Sequence, residues 1–249
     1  MRSALADIDV LILAGGLGSR LATVLGAIPK VLAPVEGRPF LDYQLDSLAS
    51  EGLRKVVLSL GHRAELVLEH LAEIKSPLPV ETVVEACPLG TGGAIALARP
   101  TLLSDPVVVL NGDTWIEVDL TAMLATHRAS PDALATLACV SVDNAGRYGS
   151  VELGSDGAVA AFIEKNGSSS AGLVNGGVYL LSAQLLDVLV VMPNLSLERD
   201  VLPHLPAGTL RAHIVRDADF LDIGTPESYA RAAAHLATRS TKTIAAVRL

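Results

Sequence analysis

Val10-Leu11-Ile12-Leu13-Ala14-Gly15-Gly16-Leu17-Gly18-Ser19-Arg20 is an unbroken apolar run that ends in a glycine-rich loop and a cation. A short apolar run without polar alternation suits a strand buried on both faces. The glycines behind it expose backbone N–H groups and let phosphate oxygens approach closely. Arg20 adds a planar fork of donors that suits phosphate. Pro29-Lys30 adds a compact charge downstream, on a segment that proline stiffens. Two other phosphate loops do not match. A dinucleotide fingerprint needs a third glycine where the helix opens, and Arg20 occupies that region. A P-loop needs Gly-Lys-Ser/Thr, which is absent.

Working outward, short β-branched runs alternate with helical stretches. Residues 40–51 set Phe40, Leu41, Leu45 and Leu48 at helical spacing and stop at Gly52. Residues 55–60, 80–84, 106–110 and 133–140 read as strands, and 63–74, 91–99 and 119–129 as helices. This alternation predicts right-handed crossovers and an α/β fold, a Rossmann-like, mostly parallel sheet with flanking helices. After residue 150 the pattern changes. Residues 150–153 and 158–164 read as an antiparallel hairpin around Gly154 and Gly157, and 172–181 as another strand. Two helices follow, the second starting at Ser196 as cap, then short strands at 209–215 and 219–223. A terminal helix covers 225–238, with Thr225 as its cap and Pro226 in its first turn. The expectation is one domain over residues 1–238 with a small antiparallel part, and a loose tail over 239–249.

The composition agrees. The chain has 249 residues, half of them hydrophobic and only 3% aromatic, so its core is built from Val, Leu, Ile and Ala. A formal net charge of -8 argues against a nucleic-acid binder. The two cysteines, Cys87 and Cys139, have no metal-type spacing and make no disulfide framework, which suits a reduced, cytoplasmic setting. No run is long enough to span a bilayer, and the run 10–13, with Asp7 and Asp9 ahead of it, does not read as a signal peptide. The six histidines form no cluster.

Ligands of open α/β sheets sit beyond the carboxyl ends of the strands. That rule selects the loop after the first strand and Asn111-Gly112-Asp113 after the fourth. Here the residues meet a family: Gly15-Gly16-Leu17-Gly18-Ser19-Arg20, with Pro29-Lys30, resembles the signature of sugar-1-phosphate nucleotidyltransferases, which share a glycosyltransferase-A-like fold. The resemblance runs from Val10 to about Tyr229, with one departure at Val31, where many members carry a second proline.

The resemblance implies a set of sites. Leu13, Ala14, Gly15, Gly16, Gly18, Ser19 and Gly112 would cradle the triphosphate. Cys87-Pro88-Leu89-Gly90-Thr91-Gly92-Gly93 would wall the nucleobase pocket, with contacts from Pro88, Gly90 and Thr91. Thr91 also reads as a helix cap, and Cys87 as a pocket-wall residue without catalytic use. Glu85 would accept from the donors of guanine. Asp113, and Asp222 within Phe220-Leu221-Asp222-Ile223-Gly224, would hold Mg²⁺. Gly149, Glu164, Lys165, Asn175 and Gly176 would form the sugar-phosphate half-site. Arg20, Lys30 and Lys165 would carry the catalytic positive charge. Within the family the resemblance is nearest to guanylyltransferases of the D-glycero-D-manno-heptose 1-phosphate type. The implied partners are therefore GTP and a heptose 1-phosphate, with no nucleic acid or membrane. The readings kept beside it are a mannose 1-phosphate guanylyltransferase, a uridylyltransferase for an amino-sugar 1-phosphate, and a non-catalytic regulatory subunit. A homo-oligomer is compatible with the sequence.

Overall fold

The apolar run is a strand, β1 (Asp9–Ala14). Val10 and Ile12 enter one core while Leu11 and Leu13 enter another. Burial on both sides puts β1 in the middle of a sheet. A computed structural model describes residues 3–145, 150–163, 171–192, 194–216, 220–232 and 234–236.

After β1 come a 3₁₀ turn (Ser19–Leu21), a one-turn helix α1 (Ala22–Leu25), a second 3₁₀ turn (Lys30–Leu32), and a ribbon of β2 (Pro34–Val35) and β3 (Arg38–Pro39). The alternation follows: α2 (Phe40–Ser50), β4 (Lys55–Leu60), α3 (Ala64–Glu73), β5 (Val80–Val84), α4 (Gly90–Ala98) and β6 (Val107–Asn111). Next are β7 (Thr114–Trp115), α5 (Leu120–Arg128) and β8 (Ala135–Val142). The hairpin is β9 (Ser150–Leu153) and β10 (Val159–Ile163). Then come β11 (Gly172–Leu181), α6 (Ala183–Val190), a π-helical turn (Leu197–Val201), β12 (Leu210–Val215) and β13 (Leu221–Asp222). Ser196 caps the π-helical turn as expected, accepting from Arg199 N at 3.3 Å. Thr225 Oγ1 accepts from Ser228 N at 3.2 Å at the head of the final helix. The tail, 239–249, lies outside the described residues.

The main sheet has seven strands in the order β12-β8-β11-β6-β1-β4-β5. β6, β1, β4 and β5 run parallel, as do β8 and β12. β11 runs antiparallel between β6 and β8. The mostly parallel sheet is as the sequence predicts, with one addition: the strand 172–181 does not stay with the hairpin but splices into the main sheet. Side chains of α2, α3 and α5 build the core on one face. Those of α4, α6 and the π-helical turn build it on the other. Among the described residues, no helix is long and apolar enough to cross a membrane.

A smaller core fixes the segments that matter for chemistry. Leu21, Val35, Phe40, Trp115 and Ile223 share it, and Trp115 meets Phe40 edge to face at 6.3 Å. The Tyr43 hydroxyl donates to the Val35 carbonyl at 3.1 Å, and that of Tyr229 donates to the Pro34 carbonyl. The loop that carries Lys30 is thereby tied to the β7–β13 ribbon.

The opposite, amino end of β1 is pinned by Asp9. Its carboxylate is fully buried and accepts from Arg54 Nε at 2.6 Å, Arg54 Nη2 at 2.5 Å and Leu103 N at 2.7 Å. One buried anion thus joins β1 to the segments entering β4 and β6. Removing the cation strands that charge, which costs roughly 3 kcal/mol when a buried pair loses one partner. Arg54→Ala is expected to lower the denaturation midpoint accordingly, with Arg54→Lys intermediate. An unchanged midpoint in Arg54→Ala would show that Leu103 and Ser104 alone satisfy Asp9.

Candidate active site

From β1 the chain moves outward through β4 to β5, then returns to place β6 on the other side of β1. The strand order reverses there, and a crevice opens beyond the carboxyl ends of β1 and β6. Gly112 N donates to the Leu13 carbonyl at 2.9 Å, just past the end of β6. A Cβ on Gly112 would stand 2.6 Å from that carbonyl oxygen and 2.9 Å from Val31 Cγ1, so only glycine allows this approach.

A cleft of about 390 Å³ lies over this closure. Leu13, Ala14, Gly15 and Gly16 line it from the first loop, Glu85, Pro88, Gly90 and Thr91 from the opposite wall, and Lys30, Gly112 and Asp113 from the floor. Four segments separated in sequence, all expected at the site, therefore share one cleft. Lys30 Nζ sits 2.8 Å from Asp113 Oδ2. Gly18 packs against the stem of Lys30, where a Cβ would lie 3.3 Å from Cγ. Arg20 is exposed and outside the lining. The Ser19 side chain lies outside the described residues. Asp222 does not line the cleft either, but β13 pairs with β7, and Ile223 N donates to the Asp113 carbonyl at 2.8 Å. Asp113 and Asp222 are therefore neighbours across one ribbon.

The wall differs in detail from its sequence reading. The Glu85 carboxylate accepts from Leu89 N at 3.1 Å, beside the positive end of α4. Its other oxygen fills the space where a Cβ of Gly15 or Gly61 would be, 2.4 Å from each. Gly90 and Gly92 have a close neighbour besides the cleft: a Cβ on either would meet the Leu195 carbonyl oxygen, at 2.7 and 2.9 Å. Thr91 is not the helix cap. The cap position is Leu89, and the Thr91 hydroxyl instead accepts from Leu197 N at 2.7 Å and donates to Glu198 Oε2 at 2.8 Å.

Of the sugar-phosphate set, Gly149, Glu164 and Lys165 lie outside the described residues. Asn175 and Gly176 sit in a bulge, where the pairing of β11 with β8 shifts register. Asn175, expected in the sugar-phosphate half-site, has one hydrogen bond at each end of its amide. Nδ2 donates to the Tyr179 hydroxyl at 2.8 Å and Oδ1 accepts from Gly177 N at 2.8 Å. Gly176 faces inward, with the Ala138 carbonyl oxygen and Ile116 Cδ1 each 3.1 Å from its would-be Cβ.

Sequence reasoning selected Asn111 only as part of its turn, with no role of its own, and missed Glu198; both line the cleft. Asn111 stands beside two residues that were singled out. Glu198 comes from the π-helical turn, with no local pattern to mark it.

A larger cavity, about 580 Å³, opens between α2 and the loop 114–120. Its charged lining residues are Glu51, Glu117 and Asp119, and among the described residues none of its lining is Lys or Arg. Burial and the charge of Asp119 raise the Glu51 pKa. Such a wall repels a polyphosphate, so the smaller cleft with Lys30 is the candidate site.

The family model described as nucleotidyl transferase matches residues 9–239. The chain belongs to that family. Among its relatives is the D-glycero-alpha-D-manno-heptose 1-phosphate guanylyltransferase of Aneurinibacillus thermoaerophilus, 36% identical, with 90% of this chain aligned to 96% of the relative. The mannose-1-phosphate guanylyltransferase of Mycobacterium tuberculosis is 33% identical, over 92% of this chain and 65% of its own length. The crystal structure of HddC from Yersinia pseudotuberculosis complexed with GMP-PN superposes with a TM-score of 0.80 at 34% identity, covering 92% of this chain and 99% of the other. This nucleotidyl transferase thus aligns along nearly the full length of a guanylyltransferase.

The two cysteines part company. Cys87 is exposed beside the wall, and Cys139 is buried in β8, where burial pushes its thiol up to about 12. One equivalent of a thiol reagent is expected to react with the native protein and a second only after denaturation, while Cys87→Ser stays active. Rapid reaction of both thiols in the native protein would contradict the burial of Cys139.

Proposed function

We propose that this nucleotidyl transferase moves GMP from GTP to D-glycero-D-manno-heptose 1-phosphate, giving GDP-heptose and pyrophosphate. The observation that carries the reading is the cleft itself, where Lys30, Asp113 and the glycine loop meet at the reversal of strand order. The near full-length similarity to heptose 1-phosphate guanylyltransferases supports the choice of substrates.

An oxygen of the sugar 1-phosphate attacks the α-phosphorus of GTP. The new P–O bond forms as the bond to the β-phosphate bridge breaks, and pyrophosphate leaves with that electron pair. A phosphate dianion is already a competent nucleophile near neutral pH, so no protein nucleophile or general base is needed. The protein must align two anions and offset their repulsion. Lys30 and Arg20 serve the triphosphate, and Lys165 serves the acceptor phosphate.

Those cations need help. Among the described residues the cleft presents Glu85, Asp113 and Glu198 against Lys30 alone in its charged lining. A tetra-anionic ligand there calls for a divalent cation. Two carboxylates on one ribbon suit Mg²⁺, which takes few protein ligands and completes its shell with water and phosphate oxygens. Asp113 and Asp222 would hold it, and the bound ion would withdraw charge from the reacting phosphates. Glu85, which lines the same cleft, would accept from N1–H and the exocyclic amine of guanine. A second reading, mannose 1-phosphate as acceptor, is favoured by the similarity to mannose-1-phosphate guanylyltransferases.

Asp113→Ala and Asp222→Ala are expected to fold normally and lose about 100-fold or more in turnover. Near-normal rates for both at limiting Mg²⁺ would remove the metal assignment. Arg20→Ala is expected to lower kcat more than it raises the KM for GTP, as for a contact that strengthens in the transition state. A changed KM with unchanged kcat would mean that Arg20 only binds. The substrate reading is tested by pyrophosphate release from GTP, UTP, CTP, dTTP and ATP, each paired with heptose, mannose, glucose and N-acetylglucosamine 1-phosphates. The highest kcat/KM is expected for GTP with the heptose. A maximum for UTP with a gluco-configured sugar would sink the substrate choice. No pyrophosphate from any pair would favour a non-catalytic role.

A further inference from the structure

Tyr179 lies in β11 without exposed surface, below the cleft. Its hydroxyl accepts from Asn175 Nδ2 at 2.8 Å and donates to Glu198 Oε1 at 3.2 Å. The directions are fixed by chemistry, because the Asn175 NH₂ can only donate and an ionised carboxylate can only accept. Burial and the charge of Glu198 raise the phenol pKa well above its ordinary value, so the hydroxyl keeps its proton.

The two partners belong to opposite halves of the site. Glu198 lines the cleft, and its Oε2 accepts from Thr91 Oγ1 at 2.8 Å and from Ser196 Oγ at 3.1 Å. It thereby joins the wall at the head of α4. Asn175 shapes the bulge, accepting from Gly177 N, and Gly177 has φ +71°. That backbone brings Gly177 close enough that a Cβ would lie 3.0 Å from Asn111 Nδ2, on the cleft floor. Val178 pairs with Leu110, so the bulge stands level with the Asn111-Gly112 turn. One buried hydroxyl therefore sets the bulge and the wall relative to each other. Loss of the hydroxyl leaves Asn175 Nδ2 and Glu198 Oε1, both part-buried, without the partner they share.

We propose that Tyr179 is a positioning residue for the reaction: by holding Asn175 and Glu198 to one hydroxyl, it fixes where the acceptor sugar phosphate meets the nucleotide. The inference rests on the nucleotidyl transfer argued above, although not on which base or sugar is used. For Tyr179→Phe it predicts a burden on the acceptor side and on turnover, with little on nucleotide binding alone, since among the described residues Lys30, Gly15 and Gly16 share no hydrogen bond with the Tyr179 hydroxyl and Glu198 keeps its bonds to Thr91 and Ser196 on the nucleotide wall.

The test compares the wild-type chain with Tyr179→Phe, Glu198→Gln and the double variant, using whichever nucleotide and sugar phosphate the wild type turns over fastest. Leu181→Ala, buried in the same strand opposite Val107 and away from the cleft, serves as a control of comparable destabilisation. Tyr179→Phe is expected to lose about 10- to 100-fold in kcat with a raised KM for the sugar phosphate, as for a small misplacement of reactants. Binding of the triphosphate alone, measured by calorimetry, stays at the wild-type value, and Leu181→Ala keeps its kcat. The double variant loses no more than the worse single one, because both act through the same bond. Undiminished kcat in Tyr179→Phe, equal loss in Leu181→Ala, or fully additive losses in the double variant would each overturn the proposal. A wild-type chain inactive with every pair would instead overturn the function on which it rests.

Discussion

The site depends on one close approach, that of Gly112 to the Leu13 carbonyl. The bond between them carries the contact of β1 and β6 one step past the ladder, so the two loops leave the sheet together. The placement of Lys30, Asp113 and Asp222 follows from that. Lys30 reaches Asp113 because the segment behind it is folded over this junction, with Val31 against Gly112. The β7–β13 ribbon starts directly after the closure and brings Asp222 alongside. A side chain at residue 112 would separate the loops and undo each of these contacts at once.

The charge arrangement is a second constraint. At rest Lys30 and Asp113 neutralise each other, while Glu85 is held by the first turn of α4 and Glu198 by hydroxyls. Each anion in the cleft thus has its own donor, and the floor is stable before any ligand arrives. A magnesium nucleotide bound as proposed would bring both charges that this pair lacks, so Lys30 and Asp113 would exchange one partner for another without either being stranded.

Much of this was legible in the sequence, for identifiable reasons. β1 and β4 are largely apolar runs of strand length, bounded by glycine or charge, and such runs have few alternatives. The phosphate loop and the Asn111-Gly112-Asp113 turn stand out because glycine and acid follow buried strands. What escaped reading is long-range. Gly90 and Gly92 read locally as a surface for a flat base, and they also accommodate the carbonyl of Leu195, about a hundred residues on. Thr91 looked like a cap for its own helix and serves another segment. Glu198 has no periodicity or motif around it, and its importance comes from the three hydroxyls that converge on it. Local pattern reveals which residues are unusual, and only the fold reveals what they are unusual for.

The lone antiparallel strand of the main sheet has a consequence for how the chain is made. β8 is buried on both faces along most of its length, and both of its neighbours, β11 and β12, come later in the sequence. As the chain leaves the ribosome, the β6-β1-β4-β5 half can assemble as soon as residue 111 is out, because its crossovers are complete. β8 then emerges with two unpaired edges and nothing to join it to that half until β11 is synthesised between them. The piece of the molecule most exposed to misassociation during synthesis is therefore one of the most deeply buried when synthesis ends.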